Sequence, residues 1–464
     1  MKKQMKFQKL VVFGALMAGL LWMNALPALA AAVEQCLGPQ PTTCVPLNGG
    51  GSSAATPFST QVPLNLLDQA PNLPIHYFAG ADSTKSKLHV WTGTRGGVKT
   101  IIRYAATGSA DGILKLQQVM SNSLSNMTYA DHLGAGCTLT NSGNPLTRAS
   151  DGKQYYEFSG CTGTTVQPMT MGMADVAGSS FHQVGPFPQK VSPLDQSTLT
   201  STQVAMVPWA FAVGEHVKKN IGTTDTPNLV PVVGLSRTEI ESIFSRQFTD
   251  WTQVGLVTDV DSPGKPDAAS PISLCIRAQG SGSKAAFDEM VMINATETPF
   301  GSTDLTNGAD GVYFGGSTQD VQDCLRGNVS PSTGGPRPAH PRGIAYMDAD
   351  QAYNVSATGP AYPIKLDGLA ANDTSLTDPK RNIKCGMYLY WAGERFNVRN
   401  YPDTDVTDSI KALATAFITD ASSSALIALM PAGAFWVAGS DMYVNKNADA
   451  GPVNWASGAH PCAQ

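Results

Sequence analysis

Charge is scarce in this 464-residue chain: Asp, Glu, Lys and Arg make up 14%, against about a quarter in a typical soluble domain. The formal net charge is −5, and residues 1–30 carry four lysines and no acid, so their removal takes it to −9. A chain of that sign has no overall field for nucleic acid or an anionic membrane, and neither is expected as a partner. There is no CxxC or CxxCH, which excludes a thiol-redox centre, a zinc ribbon and a c-type haem. The seven histidines (His76, His89, His132, His182, His216, His340, His460) form no i, i+4 pair and no cluster with carboxylates, so no metal site and no cofactor are expected. Gly280–Lys284 (GSGSK) lacks the GK[ST] ending of a nucleotide phosphate loop. No Gly-x-Ser-x-Gly elbow surrounds Ser109, Ser281 or Ser283. Without a metal cluster or an activated nucleophile, the chain is not expected to be an enzyme. Beyond the apolar run Leu10–Met23, no stretch free of charge and turn residues approaches the ~20 residues of a membrane span.

What is present points to an exported protein. Hydrophobic residues reach 42%, enough for a sizeable core, and the length suits two or three lobes. Gly (45) and Pro (31) are plentiful, as in a chain with many loops. Lys2, Lys3, Lys6 and Lys9 precede the short apolar run, and Ala28-Leu29-Ala30 follows it, the three parts of a secretory signal over residues 1–30. The polar Val33-Glu34-Gln35 before Cys36 does not suit a lipid anchor, so the mature chain is expected to be soluble in the periplasm or outside the cell. Eight cysteines remain, an even number in an oxidising compartment, and disulfides are expected. Pairing neighbours in sequence (36–44, 137–161, 275–324, 385–462) is the simplest of 105 connectivities.

Residues 31–72 are rich in Pro, Gly, Ser and Thr, lack sustained periodicity and read as an N-terminal extension stapled by Cys36 and Cys44. From Leu73 onward β-rich runs alternate with helical patterns, the signature of an α/β fold. Strands are predicted at Ile75–Phe78, Lys99–Tyr104, Gln203–Val213, Ile272–Arg277, Gly343–Tyr346 and Met387–Trp391. Helices are predicted at Ala110–Ser121, Arg237–Phe244, Ser283–Val291 and Asp405–Asp420. Ser236 with Glu239 three residues on reads as a capping box, and Asn328–Arg342 as a loop.

Four segments share one design, a strand running into a Gly/Ser/Thr-rich turn: IHYFAGADSTK from Ile75, IRYAATGSADGIL from Ile102, MTMGMADVAGSSF from Met169 and ISLCIRAQGSGSKAAF from Ile272. Glycine lets the backbone turn sharply and approach a ligand, and Ser and Thr supply hydroxyl donors. A helix opening at such a turn aims unpaired N–H groups at an anion. Arg277 adds a planar fork that suits a tetrahedral oxyanion.

In their order these segments resemble the phosphate-binding proteins of bacterial ABC phosphate importers. Tyr104–Ile113 (YAATGSADGI) is similar to that family's aromatic-x-x-x-Gly-Ser-Gly-x-Gly-Ile turn, and Met173-Ala174-Asp175 to its Ser-Asp or Ala-Asp segment. Leu235–Trp251 resembles its Leu-Ser, Ile-Phe and Trp stretch. Arg277–Ser283 with Phe287 resembles Arg-x-x-x-Ser-Gly-Thr…Phe, and Gly343–Tyr346 with Ala352-Tyr353 resembles Gly-x-Ile-Gly-Tyr…Ala-Tyr. The resemblance implies a two-lobed type II periplasmic binding protein fold, with a hinge and a ligand cleft between the lobes. It implies that Ser83 and Thr84 of the first loop, Ser109 of the second, and Arg277, Ser281, Gly282 and Ser283 donate to phosphate, while Asp175 accepts the ligand's proton. A buried carboxylate of that kind repels a fully ionised sulfate. The departures are Asp82 in the first loop, Gln279 in place of an acidic residue, and 66 positions between Ser109 and Asp175.

The expected division is residues 73–199 for the first part of lobe one, with an insertion at about 115–168, residues 200–359 for lobe two and 360–464 for the rest of lobe one. The expected function is capture of phosphate, or a similar small oxyanion, for ABC-type import, with importer membrane subunits as partners. The alternative is a secreted or cell-surface structural protein that retains the fold without transport.

Overall fold

The computed structural model describes residues 44–84, 86–132, 136–181, 194–278, 280–293, 311–327, 339–358, 361–400, 406–456 and 462. The expected signal segment and the loop at 328–338 lie outside the described residues. The strands that build the site are β1 (Cys44–Gly51), β2 (Ile75–Phe78), β3 (Leu88–Arg95), β4 (Val98–Ala106), β5 (Asn126–Ala130), β6 (Gln154–Ser159), β7 (Thr164–Pro168), β8 (Met171–Ala174), β9 (Leu199–Gly214), β10 (Ser273–Arg277), β11 (Val312–Gly315), β12 (Gly343–Asp348), β13 (Ala361–Leu366) and β14 (Trp391–Arg399). They join in one mixed sheet in the order β11-β10-β12-β9-β14-β8-β1-β4-β3-β2-β6, with β13 also on β9 and β5 pairing with β7 as a separate ribbon.

Strand β9 explains how two lobes share that sheet. From Leu199 to Pro208 it pairs antiparallel with β14; from Trp209 to Val213 it pairs with β12 instead. The chain returns beside the same point, where Trp209 N–H donates to Tyr390 O at 3.0 Å. Two neighbouring segments therefore cross from one half-sheet to the other, which is the layout of a hinge.

One continuous apolar core runs through both halves, with an aromatic group in each. In the first, Phe58 of helix α1 (Thr56–Leu66) meets Phe396 at 5.2 Å and Trp436 at 5.3 Å between ring centroids. In the second, Phe244 of α3 (Arg237–Phe244) and Phe287 of α4 (Gly282–Met290) gather around Tyr346, with Phe287 stacked on Tyr346 at 4.3 Å. Helix α2 (Asp111–Leu114) stops after one turn, short of the predicted Ala110–Ser121. The capping box at Ser236 and Glu239 is formed. Further along, α5 spans Thr318–Arg326, α6 Ala349–Thr358 and α7 Asp408–Ala421. Disulfides join Cys137–Cys161, Cys275–Cys324 and Cys385–Cys462; Cys44 is also bonded, to a partner outside the described residues.

Residues 44–66 correct the expectation of an irregular extension. β1 lies inside the sheet, parallel to β8 on one side and β4 on the other. Its sequence, CVPLNGGG, carries Pro, Asn and three glycines, all poor strand formers. At Gly51 neighbouring chain comes too close for a side chain: a Cβ there would collide with Met173 O. Met387–Leu389, predicted as strand, precede β14, which starts at Trp391.

Candidate functional site

The carboxyl ends of β1, β4 and β8 lie side by side, the edge where open α/β sheets bind ligands. Their turns pack backbone on backbone. A Cβ on Gly112 or Gly51 would collide with Met173 O, and one on Gly172 with Gly112 O. This close approach aligns three polar groups. Ser52 N–H donates to Met173 O at 2.9 Å, the Ser52 hydroxyl donates to Asp175 Oδ1, and Asp175 N–H donates to Ser109 Oγ at 3.3 Å. Ser52, Ser109 and Asp175 are all buried.

The loop expected to supply the first contact does not reach this point. Ser83 and Thr84 sit between β2 and β3, where Thr84 donates from its N–H and hydroxyl to Asp82 Oδ1 at 2.9 and 2.7 Å, an exposed Asx turn. Among the described residues no hydrogen bond joins either to the Asp175 pocket. The turn after β1 holds that place, and Ser52 is its hydroxyl. The correction follows from the one above: where 44–51 is irregular, Ile75–Phe78 becomes the first strand and its loop the first loop.

The second half-sheet supplies the other wall. β10 delivers Arg277, and the Cys275–Cys324 bond ties this strand to α5. Arg277 is 3% exposed; its Nη1 donates to Thr318 Oγ1 at 2.9 Å, its Nη2 to Gly316 O at 3.5 Å, and among the described residues its Nε–H has no acceptor. Ser281 caps α4, accepting from Lys284 N–H at 3.4 Å. A Cβ on Gly282 would stand 2.5 Å from both Asp175 Oδ2 and Ser109 Oγ, and Ala110 N–H donates across the cleft to Gly280 O at 3.1 Å. Ser109, Asp175, Ser281, Gly282 and Ser283 thus converge. Arg277 joins them through Thr318, which donates to Asp348 Oδ2 at 3.2 Å, while Ser283 donates to Asp348 Oδ1 at 3.4 Å.

Two acids complete the pocket. Asp348 ends β12; burial first, then the Asp175 and Asp350 carboxyls, push it up to about 7 against the pull of Arg277 and Thr318. Glu394 lies on β14, fully buried; burial and then Asp175 hold it well above the usual carboxylate range. The Glu394 carboxyl lies against the Asp175 carboxyl, which raises it, and the Ser52 hydroxyl, which lowers it. Burial also raises the Tyr104 phenol, which donates to Ser52 O. Sequence reasoning missed Ser52, Thr318, Asp348 and Glu394. A lone acid at the end of GIAYM or inside WAGERF is a signal that could have drawn notice, because unpaired acids are rarely buried.

A family profile described as "PBP superfamily domain" matches residues 51–420. The chain belongs to the PBP superfamily. Its fold is the type II periplasmic binding protein fold, α/β with a crossing hinge. Among solved structures, a candidate phosphate ABC transporter substrate-binding protein with bound phosphate from Clostridium perfringens is 14% identical, with 85% of this chain and 99% of that chain covered at a TM-score of 0.45. An ABC-type phosphate transport receptor from Vibrio cholerae is 13% identical over 82% of this chain and 96% of that one, at 0.39. A phosphate binding protein from Stenotrophomonas maltophilia is 14% identical over 81% and 84%, at 0.34. In this PBP superfamily member, no described helix is long and apolar enough to cross a membrane.

Proposed function

We propose that this protein is an extracytoplasmic solute-binding protein that captures phosphate, or a tetrahedral oxyanion of the same size, between its lobes and delivers it to the membrane subunits of an ABC importer. The observation that carries this reading is the meeting of the α4 start with Asp175 and Ser109 at Gly282, with buried Arg277 joined to the same pocket. A helix start and a guanidinium stabilise the anion. Asp175 favours a ligand that still has a proton to give, so phosphate binds and sulfate does not. Closure at the β9 crossing then changes the outer surface that the importer meets. The division into lobe one (44–207 and 391–456) and lobe two (209–389) belongs to this reading.

Calorimetry with inorganic phosphate and with sulfate on the mature chain tests it, with Arg277→Ala and Asp175→Asn alongside. Phosphate heat lost in Arg277→Ala, with sulfate silent in wild type, is expected; no phosphate heat from ligand-stripped protein defeats the proposal. A second reading, a secreted structural protein that retains the fold, draws on a specific feature: three buried carboxyls, Asp175, Asp348 and Glu394, crowd one another, and Arg277 acts on Asp348 alone of the three. Absence of heat in the same titration is what that reading expects.

A further inference from the structure

We propose that Asp348 is a specificity-determining residue of this cleft, and that it makes anion capture proton-linked. Ionised, it occupies the donors an oxyanion needs and repels the anion; neutral, it releases them. The inference rests on the phosphate reading for its ligand. Its basis is the bonding of Asp348 itself. One carboxylate oxygen accepts from Ser283 in the first turn of α4 at 3.4 Å, the other from Thr318 at 3.2 Å, and Thr318 accepts from Arg277 at 2.9 Å. The helix start and the guanidinium, the two groups best suited to hold an oxyanion, are thereby tied to an anion of the protein's own. Asp348 is 4% exposed, so water does little to screen it.

Its charged surroundings are lopsided. Asp175 faces it from the end of β8, Glu394 from β14 and Asp350 from the start of α6. On α4, Lys284 is paired with Asp288 at 2.6 Å. On α5, Asp320 is bound to the Ser317 cap and Asp323 faces Arg326 at 3.6 Å. The Tyr346 and Tyr390 phenols beside it stay neutral, raised by burial. Arg277 is the cation that acts on it directly. With its carboxyl lifted to about 7, Asp348 changes charge near neutrality, and an arriving anion raises it further. At pH 8 capture therefore draws in a proton. Burial, then Asp175, raise Glu394 in the same direction.

The test is calorimetry of the full mature chain with inorganic phosphate from pH 6 to 9, each pH in two buffers of different ionisation heat, on wild type and Asp348→Asn. The expected wild-type Kd weakens relative to Asp348→Asn by up to about tenfold per pH unit above 7, because one proton is linked to binding. At pH 8 wild type takes up about one proton more than the variant. Parallel profiles with equal proton uptake would overturn the inference while leaving phosphate binding intact. If Asp348→Asn does not fold, Thr318→Val serves: loss of that donor to the charged carboxyl moves the wild-type pH midpoint upward, and an unmoved midpoint counts against the proposal. No phosphate heat from any protein at any pH would overturn the phosphate reading, and this inference with it.

Discussion

Two groups of buried ionisable side chains in this protein are built in opposite ways. At the outer side of the first half-sheet, His76 stacks on Trp91 at 4.4 Å, its Nε2 meets His89 Nδ1 at 3.1 Å and its Nδ1 meets Glu157 Oε2 at 3.1 Å. His89 Nε2 closes the chain on Ser86 O at 3.0 Å. Every ring nitrogen is matched within the protein. In the cleft, the Arg277 Nε–H has no acceptor among the described residues, and three carboxyls, Asp175, Asp348 and Glu394, crowd together. A cluster whose needs are met from within is architecture; one that crowds carboxyls beside an unsatisfied guanidinium N–H is what the proposed anion site would require.

Four experiments press on that contrast. The largest effect is expected from Gly282→Ala, whose Cβ would enter the space held by Asp175 and Ser109. Phosphate affinity should fall by about 100-fold, or about 2.7 kcal/mol, with the melting temperature nearly unchanged. Equal affinity would show that the lobes do not close on the ligand at this helix start.

The histidine cluster should appear in stability, not binding. Burial lowers His76, and lowers His89 to about 3 with His76 adding to the shift, so both stay neutral in the folded chain. Between about 3 and the unfolded value near 6.5 the unfolded chain binds more protons, so stability is full above 6.5 and is lost as pH falls. From pH 7 to 5, urea unfolding of wild type should lose about 2 kcal/mol more than that of His89→Gln. The cleft acids act in the reverse sense. Asp348 and Glu394 are raised in the folded state, so their contribution is lost as pH rises, through about 7 for Asp348.

A smaller effect is expected from Ser52→Ala, which removes one donor from Asp175; affinity should weaken by about 1 kcal/mol, read by the same titration. Ser83→Ala with Thr84→Ala should change affinity by less than about 0.5 kcal/mol, as befits an exposed turn remote from the chemistry. A reversal of these two results would return the first loop to Gly80–Lys85.

Much of this was legible in the residues. Elements with strong periodicity or capping were found closely: Arg237–Phe244 lies where Ser236 and Glu239 bracket it, and Ser273–Arg277 where Leu-Cys-Ile runs into a Gly-Ser turn. Ser109, Asp175 and Ser281–Ser283 were singled out by the family resemblance, and local rules, a turn after a strand and a cap before a helix, fixed only their setting. β1 was hidden because its glycines answer to chain crossing from far along the sequence, a demand that no local propensity expresses. Asp348 and Glu394 were hidden for a related reason: their meaning lies in each other's company, and they stand 46 positions apart.

The meeting of Gly51, Gly112 and Gly172 has a consequence for how this fold can diversify under the proposed function. Three bare backbones are fused there with no side chain between them, so that wall tolerates almost no single replacement. A new cargo would have to be accommodated on the opposite bank, at the opening residues of α4 and the acids behind it, where side chains can be exchanged one at a time.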